Sequence, residues 1–157
     1  MRQKKIHDIL LFLRRSKTLE SAERYGSSLR GNKNTVAEHS WRLALMALVI
    51  GTECKVRVNI NHAVALALLH DLGEAKTGDI DAYSQILQGK QLIEDKAILE
   101  DLTLREMTDD LPFGDWIYSL WRESEDKLTL EGKFVKALDR IEGFLHTGGV
   151  IPAAPRE

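Results

Sequence analysis

A chain of 157 residues, 43% hydrophobic and 29% charged, is long enough for one well-buried core and has the balance of an ordinary globular protein. Its 22 Lys and Arg against 24 Asp and Glu give a formal charge of −2, which argues against a polyanion-binding surface and a nucleic-acid polymer as partner. Cys54 is the single cysteine, so no internal disulfide can form, and the short apolar run Ile9–Leu13 cannot span a bilayer; a cytoplasmic protein with no membrane partner is expected.

Periodicity is helical along the chain, and no alternating stretch is long enough to argue for a sheet, so the expected class is all-α. A first helix is predicted over Lys4–Leu13, with Ile6, Ile9, Leu10 and Leu13 on one face. Ser16–Asn34 is polar and irregular, and a loop of that length inside a compact domain is usually functional. Thr35 followed by Glu38 forms a capping-box signature ahead of an apolar run to Ile50, and Cys54 reads as a small buried hydrophobe at the end of that helix. A third helix, with Asn61 as its N-cap, runs through Ala63–Leu69 to the Gly73 region and is apolar nearly all round, which marks it as central. Further helices are predicted over Lys90–Thr108, Phe113–Asp126 and Glu131–His146, with a break at Asp109–Pro112. The glycines and prolines from Gly148 onwards predict a loose tail over 148–157, and no internal boundary divides the single domain expected over residues 1–157. Trp41, Trp116 and Trp121 read as core or interface aromatics.

Chemistry concentrates at three points. His70 and Asp71 end the most apolar helix, where an imidazole and a carboxylate are costly to bury unless something satisfies them, as a metal ion does directly. Glu74 follows within one turn, and Asp79 comes just after Gly78, where the chain can bend back. Upstream, His39 shares a face with Leu43, Met46 and Ile50; downstream, Asp139 lies one turn from Val135, Leu138 and Glu142. Each has a plainer explanation. A single inward histidine is more often a hydrogen-bonded core residue, Asp139 could pair with Lys136 or Arg140, Glu38 is accounted for by its cap, and Glu74 could be solvated.

Taken in order, Glu38-His39-Ser40, His70-Asp71-Leu72-Gly73-Glu74 with Thr77-Gly78-Asp79, and Phe134-Val135-Lys136-Ala137-Leu138-Asp139-Arg140 resemble the HD-domain superfamily of metal-dependent phosphohydrolases, and within it the 5'-deoxynucleotidase branch. The resemblance implies a helical bundle around a buried metal site and a nucleotidase acting on deoxyribonucleoside 5'-monophosphates. It implies His39, His70, Asp71 and Asp139 as metal ligands, Glu74 as the catalytic carboxylate, and Asp79 as a contact to the nucleotide. The Arg-Trp pair of that branch corresponds here to Arg24-Tyr25, for phosphate and sugar or base, and its Glu-Tyr-Glu to Glu123-Ser124-Glu125. The final helix also gives way early, at Gly148-Gly149. Two nitrogens and two carboxylate oxygens favour Mn, Co, Fe or Zn over Mg. The partner implied is a small phosphorylated substrate, a nucleotide, and the same resemblance suggests a homodimer. Two other readings stay open: another HD reaction on a cyclic nucleotide, a nucleoside triphosphate or a guanosine polyphosphate, or a non-catalytic helical regulatory module.

Overall fold

The computed structural model describes residues 2–24, 34–76, 90–146 and 148. In chain order these form α1 (Arg2–Ser16), a 3-10 turn (Lys17–Glu20), β1 (Glu23–Arg24), β2 (Asn34–Thr35), α2 (Val36–Glu53), α3 (Ile60–Leu69), a second 3-10 turn (Leu72–Ala75), α4 (Lys90–Thr108), α5 (Gly114–Asp126) and α6 (Leu130–His146). The all-α expectation holds: apart from helices, the described residues contain one two-residue antiparallel ladder, pairing Glu23 with Thr35 and Arg24 with Asn34. All of that ladder but Thr35 lies inside the segment expected to be irregular. The tail expected after Gly148 lies outside the described residues.

The start of α2 is set locally. Thr35 Oγ1 accepts the Glu38 amide at 3.2 Å while Glu38 Oε2 accepts the Thr35 amide at 2.8 Å, so two orphan donors of the first turn are satisfied reciprocally. Asn59, not Asn61, caps α3: its Oδ1 accepts the His62 amide at 3.1 Å, and its own amide goes to Glu131 Oε1 at 2.7 Å. Both asparagines are adequate caps by type. The bond to Glu131 comes from a distant helix and favours the earlier one.

The apolar face of α1 is turned outward, since Ile6, Ile9, Leu10 and Leu13 are all exposed while Asp8 is buried. The helix docks through a face turned about one residue round. Phe12 meets Phe113 edge-on with centroids 5.8 Å apart, and Arg15 makes a bidentate pair with Asp110 at 2.5 and 2.8 Å. The expectation of a buried Cys54 fails: it is exposed at the C-cap of α2, because the chain leaves the helix there through Lys55 in a left-handed conformation. Of the tryptophans, Trp121 is buried, whereas Trp41 and Trp116 are exposed.

The core has two apolar clusters. One joins Leu43 and Ala47 of α2, Leu66 and Ala67 of α3, and Val135 and Leu138 of α6. The other joins Val36 at the start of α2 with Leu72, Leu104, Ile117 and Trp121. Two of the places where the chain passes from one cluster to the other are within α2, between Val36 and Leu43, and after α3, between Ala67 and Leu72. His39 lies in the first crossing and His70-Asp71 in the second. The polar groups sit at the seam.

Candidate metal centre

The capping box fixes the register of α2, and one residue beyond Glu38 that register turns His39 fully inward, in line with Leu43 and Ala47. At the end of α3, His70 keeps helical geometry and its amide still bonds Leu66 O at 2.9 Å, but Asp71 has left the helix at φ −102 and ψ 16. Adjacent helical residues point about 100° apart. The break at Asp71 lets two neighbours face one point. On α6, Asp139 and Glu142 are one turn apart on the face that carries Val135 and Leu138. Arg24 arrives from β1, tied by its ladder to the start of α2.

These elements bring four acceptor atoms together. His39 Nε2 lies 3.1 Å from His70 Nε2, 3.3 Å from Asp139 Oδ1 and 3.6 Å from Asp71 Oδ2, and His70 Nε2 lies 3.1 Å from Asp71 Oδ2. His39, His70 and Asp71 form a group able to hold a metal ion, with their ligand atoms all within 4.8 Å of one another; Asp139 lies outside that group and meets it through His39 Nε2. Bonds of about 2.0–2.2 Å put neighbouring ligands roughly 2.8–3.1 Å apart at right angles and about 3.3–3.6 Å apart in a tetrahedron. The observed edges fall in that span.

Hydrogen atoms decide what the cluster requires. His70 Nδ1 lies 2.9 Å from Ala67 O, which can only accept, so Nδ1 carries the hydrogen and Nε2 presents its lone pair. His39 Nδ1 lies 2.7 Å from Glu142 Oε2, and Arg42 Nη1 is 2.9 Å from the other Glu142 oxygen. Burial works against ionised Glu142, but His39 and Arg42 outweigh it and hold the carboxyl below its ordinary range. His39 therefore also donates from Nδ1. Two imidazole lone pairs then face each other at 3.1 Å beside two carboxylates, an arrangement that repels itself unless a cation or a proton lies within it. Burial disfavours the His39 imidazolium, yet its bonds to Asp139 and Glu142 outweigh that and raise its pKa.

Both carboxylates stay ionised. Burial alone would raise Asp71, but His70, Arg24 and His39 outweigh it and hold the group far below the usual carboxylate range. Asp139 is held down similarly, against burial, by His39 and Lys136, whose Nζ lies 2.6 Å from Asp139 Oδ2. Of the two cations that sequence offered as partners for Asp139, Lys136 is the one in contact with it. Arg24 is buried with Nη1 3.5 Å from Asp71 Oδ2 and Nη2 3.9 Å from Asp139 Oδ1, which places a guanidinium at the rim of the cluster.

Glu74, in the Leu72–Ala75 turn, is 4% exposed, which rules out the solvated-carboxylate explanation. Tyr25 and Asp79 lie outside the described residues. Within Glu123-Ser124-Glu125, Glu123 takes His62 Nε2 at 2.9 Å and Thr129 Oγ1 at 2.6 Å, tying α3 to the α5–α6 connection, and Ser124 Oγ bonds Trp121 O. Glu142 was missed as a site residue. Its signal was present, three residues after Asp139 on a face otherwise apolar, but its partner is 103 residues away.

An HD-domain family model matches residues 16–148, and the chain belongs to that family. The human protein named 5'-deoxynucleotidase HDDC2 is 35% identical over 87% of this chain and 65% of its own length. The chain thus spans just under two thirds of that relative. Among solved structures, one titled predicted metal-dependent phosphohydrolase from Magnetospirillum magnetotacticum MS-1 superimposes with a TM-score of 0.75 at 25% identity, over 90% of this chain and 71% of that one. A conserved hypothetical protein from Pyrococcus furiosus aligns with a TM-score of 0.62 at 32% identity, over 87% and 76%. No described helix is long and apolar enough to cross a membrane.

Proposed function

We propose that this chain is a metal-dependent phosphohydrolase that removes phosphate from deoxyribonucleoside 5'-monophosphates. The observation that carries the reading is the group of His39, His70 and Asp71, with ligand atoms 3.1–3.6 Å apart and both histidine tautomers locked from behind, and with Asp139 Oδ1 3.3 Å from His39 Nε2. The 5'-deoxynucleotidase named among its relatives supports the substrate class. His39, His70, Asp71 and Asp139 would hold one divalent cation, of the Mn, Co, Fe or Zn kind by donor type. When bound, such a cation supplies Lewis acidity towards a phosphoryl oxygen and acidifies water.

The remaining work falls to the protein's own groups. Arg24, at the cluster rim, offsets charge on the phosphate and orients it, preferably through two parallel N–H bonds. Glu74 accepts the proton of the attacking water or relays it to the departing 5'-oxygen. Tyr25 and Asp79 contact the base and sugar, and a carboxylate near the 2'-carbon disfavours ribose by leaving its hydroxyl poorly accommodated. In this reading residues 1–157 form one domain, acting in the cytoplasm as a homodimer.

The test is phosphate release by the metal-reconstituted protein from matched deoxy- and ribonucleoside monophosphates, cyclic nucleotides, triphosphates and guanosine polyphosphates. Deoxynucleoside monophosphates are expected to turn over fastest. Preferential hydrolysis of a phosphodiester or polyphosphate would replace this reading with another HD reaction, and no release from any substrate would leave a binding module.

A further inference from the structure

Glu74 is buried in a short turn, and an ionised carboxylate there needs compensation. It comes from another element. Lys96 Nζ, on α4, donates to Glu74 Oε1 at 2.7 Å and lies 3.2 Å from Glu100 Oε1, one turn further along the same helix. The Lys96 side chain is 14% exposed and that of Glu100 12%. This is an ammonium largely withdrawn from water between two carboxylates, unlike the solvated i,i+4 pairs on the outside of α4 and α5.

The backbone keeps the two elements together. A Cβ on Gly73 would lie 2.8 Å from Glu100 Cβ, 3.1 Å from Glu100 O and 3.2 Å from its Cα. The turn carrying Glu74 therefore rests directly on the main chain of α4, closer than any other residue type permits. Fixed in this way, the Glu74–Lys96 distance depends on packing between elements rather than on a loop.

We propose that Lys96 is a positioning residue for Glu74, with Glu100 steadying its ammonium and Gly73 setting the distance from α4. The proposal rests on the phosphohydrolase reading and deepens it. Lysine carries a compact charge on a flexible stem, and three donors can be shared between two carboxylates without a fixed fork. Lys96 acts through Glu74 and not on the substrate.

Two measurements on the metal-loaded full chain test this. In single-turnover hydrolysis of a deoxynucleoside monophosphate, Lys96→Met is expected to slow the chemical step about tenfold or more, with substrate affinity changed by less than about threefold. Lys96→Arg, which keeps the charge, is expected to recover most of the rate, and metal content should be unaltered in both. A weaker affinity with an unchanged rate would make Lys96 a substrate contact and overturn the proposal; unchanged values for both would overturn it as well. The second measurement needs no activity. In urea unfolding, Lys96→Met should shift the midpoint at least twice as far in the parental chain as in a Glu74→Gln background. Equal shifts in the two backgrounds mean that the side chains are not coupled, and the proposal fails even if Lys96→Met cannot be assayed. Coupling together with no phosphate release from the parental chain would instead overturn the hydrolase reading, and with it any catalytic role for the pair.

Discussion

At the scale of single residues, the site depends on which nitrogen of each histidine carries its hydrogen, and the groups that decide this are not ligands themselves. Glu142 accepts from His39 Nδ1 and is braced by Arg42, so the His39 lone pair has only one direction to point. Replacing Glu142 with Leu removes that acceptor and frees the ring to flip or change tautomer. Metal affinity is expected to fall about 10–100-fold, as it does when comparable outer partners of metal-bound histidines are lost, and titration with a chromophoric competitor measures it. Glu142→Gln keeps an oxygen that can accept and should cost less; an equal loss in the two variants would show that charge, not tautomer, is what matters. Glu74 should behave differently. Glu74→Ala is expected to keep its metal and lose about 10²–10⁴ in rate, as read by elemental analysis beside single-turnover hydrolysis. A Glu74→Ala protein with the parental rate would remove the proton-transfer role assigned to that carboxylate.

At the scale of elements, what sequence could reveal was whatever is encoded locally. The capping box at Thr35–Glu38 was legible because both bonds are made within four residues, and the bounds of α4 came out as expected because its break lies in the adjoining Asp109–Pro112 stretch. The inward turn of His39 followed from the same register. What stayed hidden was decided by distant partners: the docking face of α1 by Phe113 and Asp110, the cap of α3 by Glu131, and the support of Glu74 by a lysine 22 residues on. Periodicity finds that a helix has an apolar stripe. It does not find which stripe another helix will cover. Two predictions belong here. Thr35→Ala removes the cap that aims His39 and is expected to cost about 1 kcal/mol in chemical denaturation, with a detectable drop in metal affinity because the ligand lies in the same first turn. Gly73→Ala forces the Leu72–Ala75 turn away from α4 by several tenths of an ångström and should destabilise by about 1–3 kcal/mol, the usual range for overpacking. Turnover should fall with it, since Glu74 rides on that turn; a stable, fully active Gly73→Ala chain would show that the close approach is dispensable.

Across the described residues, the arrangement is a helical bundle in which His39 and His70-Asp71 sit where the chain passes between two apolar clusters, and Asp139 borders one of them. This explains how so many acceptors can be held close together: packing on either side supports a self-repelling site that the polar groups could not hold by themselves. It also implies that a cation, by relieving the repulsion, stabilises the fold through linkage. The central claim is that His39, His70, Asp71 and Asp139 hold one divalent cation on which hydrolysis depends. The most direct measurement titrates Mn or Co into chelator-stripped protein and follows phosphate release from a deoxynucleoside 5'-monophosphate. The account predicts no release from the stripped chain and full recovery at about one cation per chain. Hydrolysis at the full rate by the stripped chain, or recovery unaffected by Asp71→Ala, would contradict it.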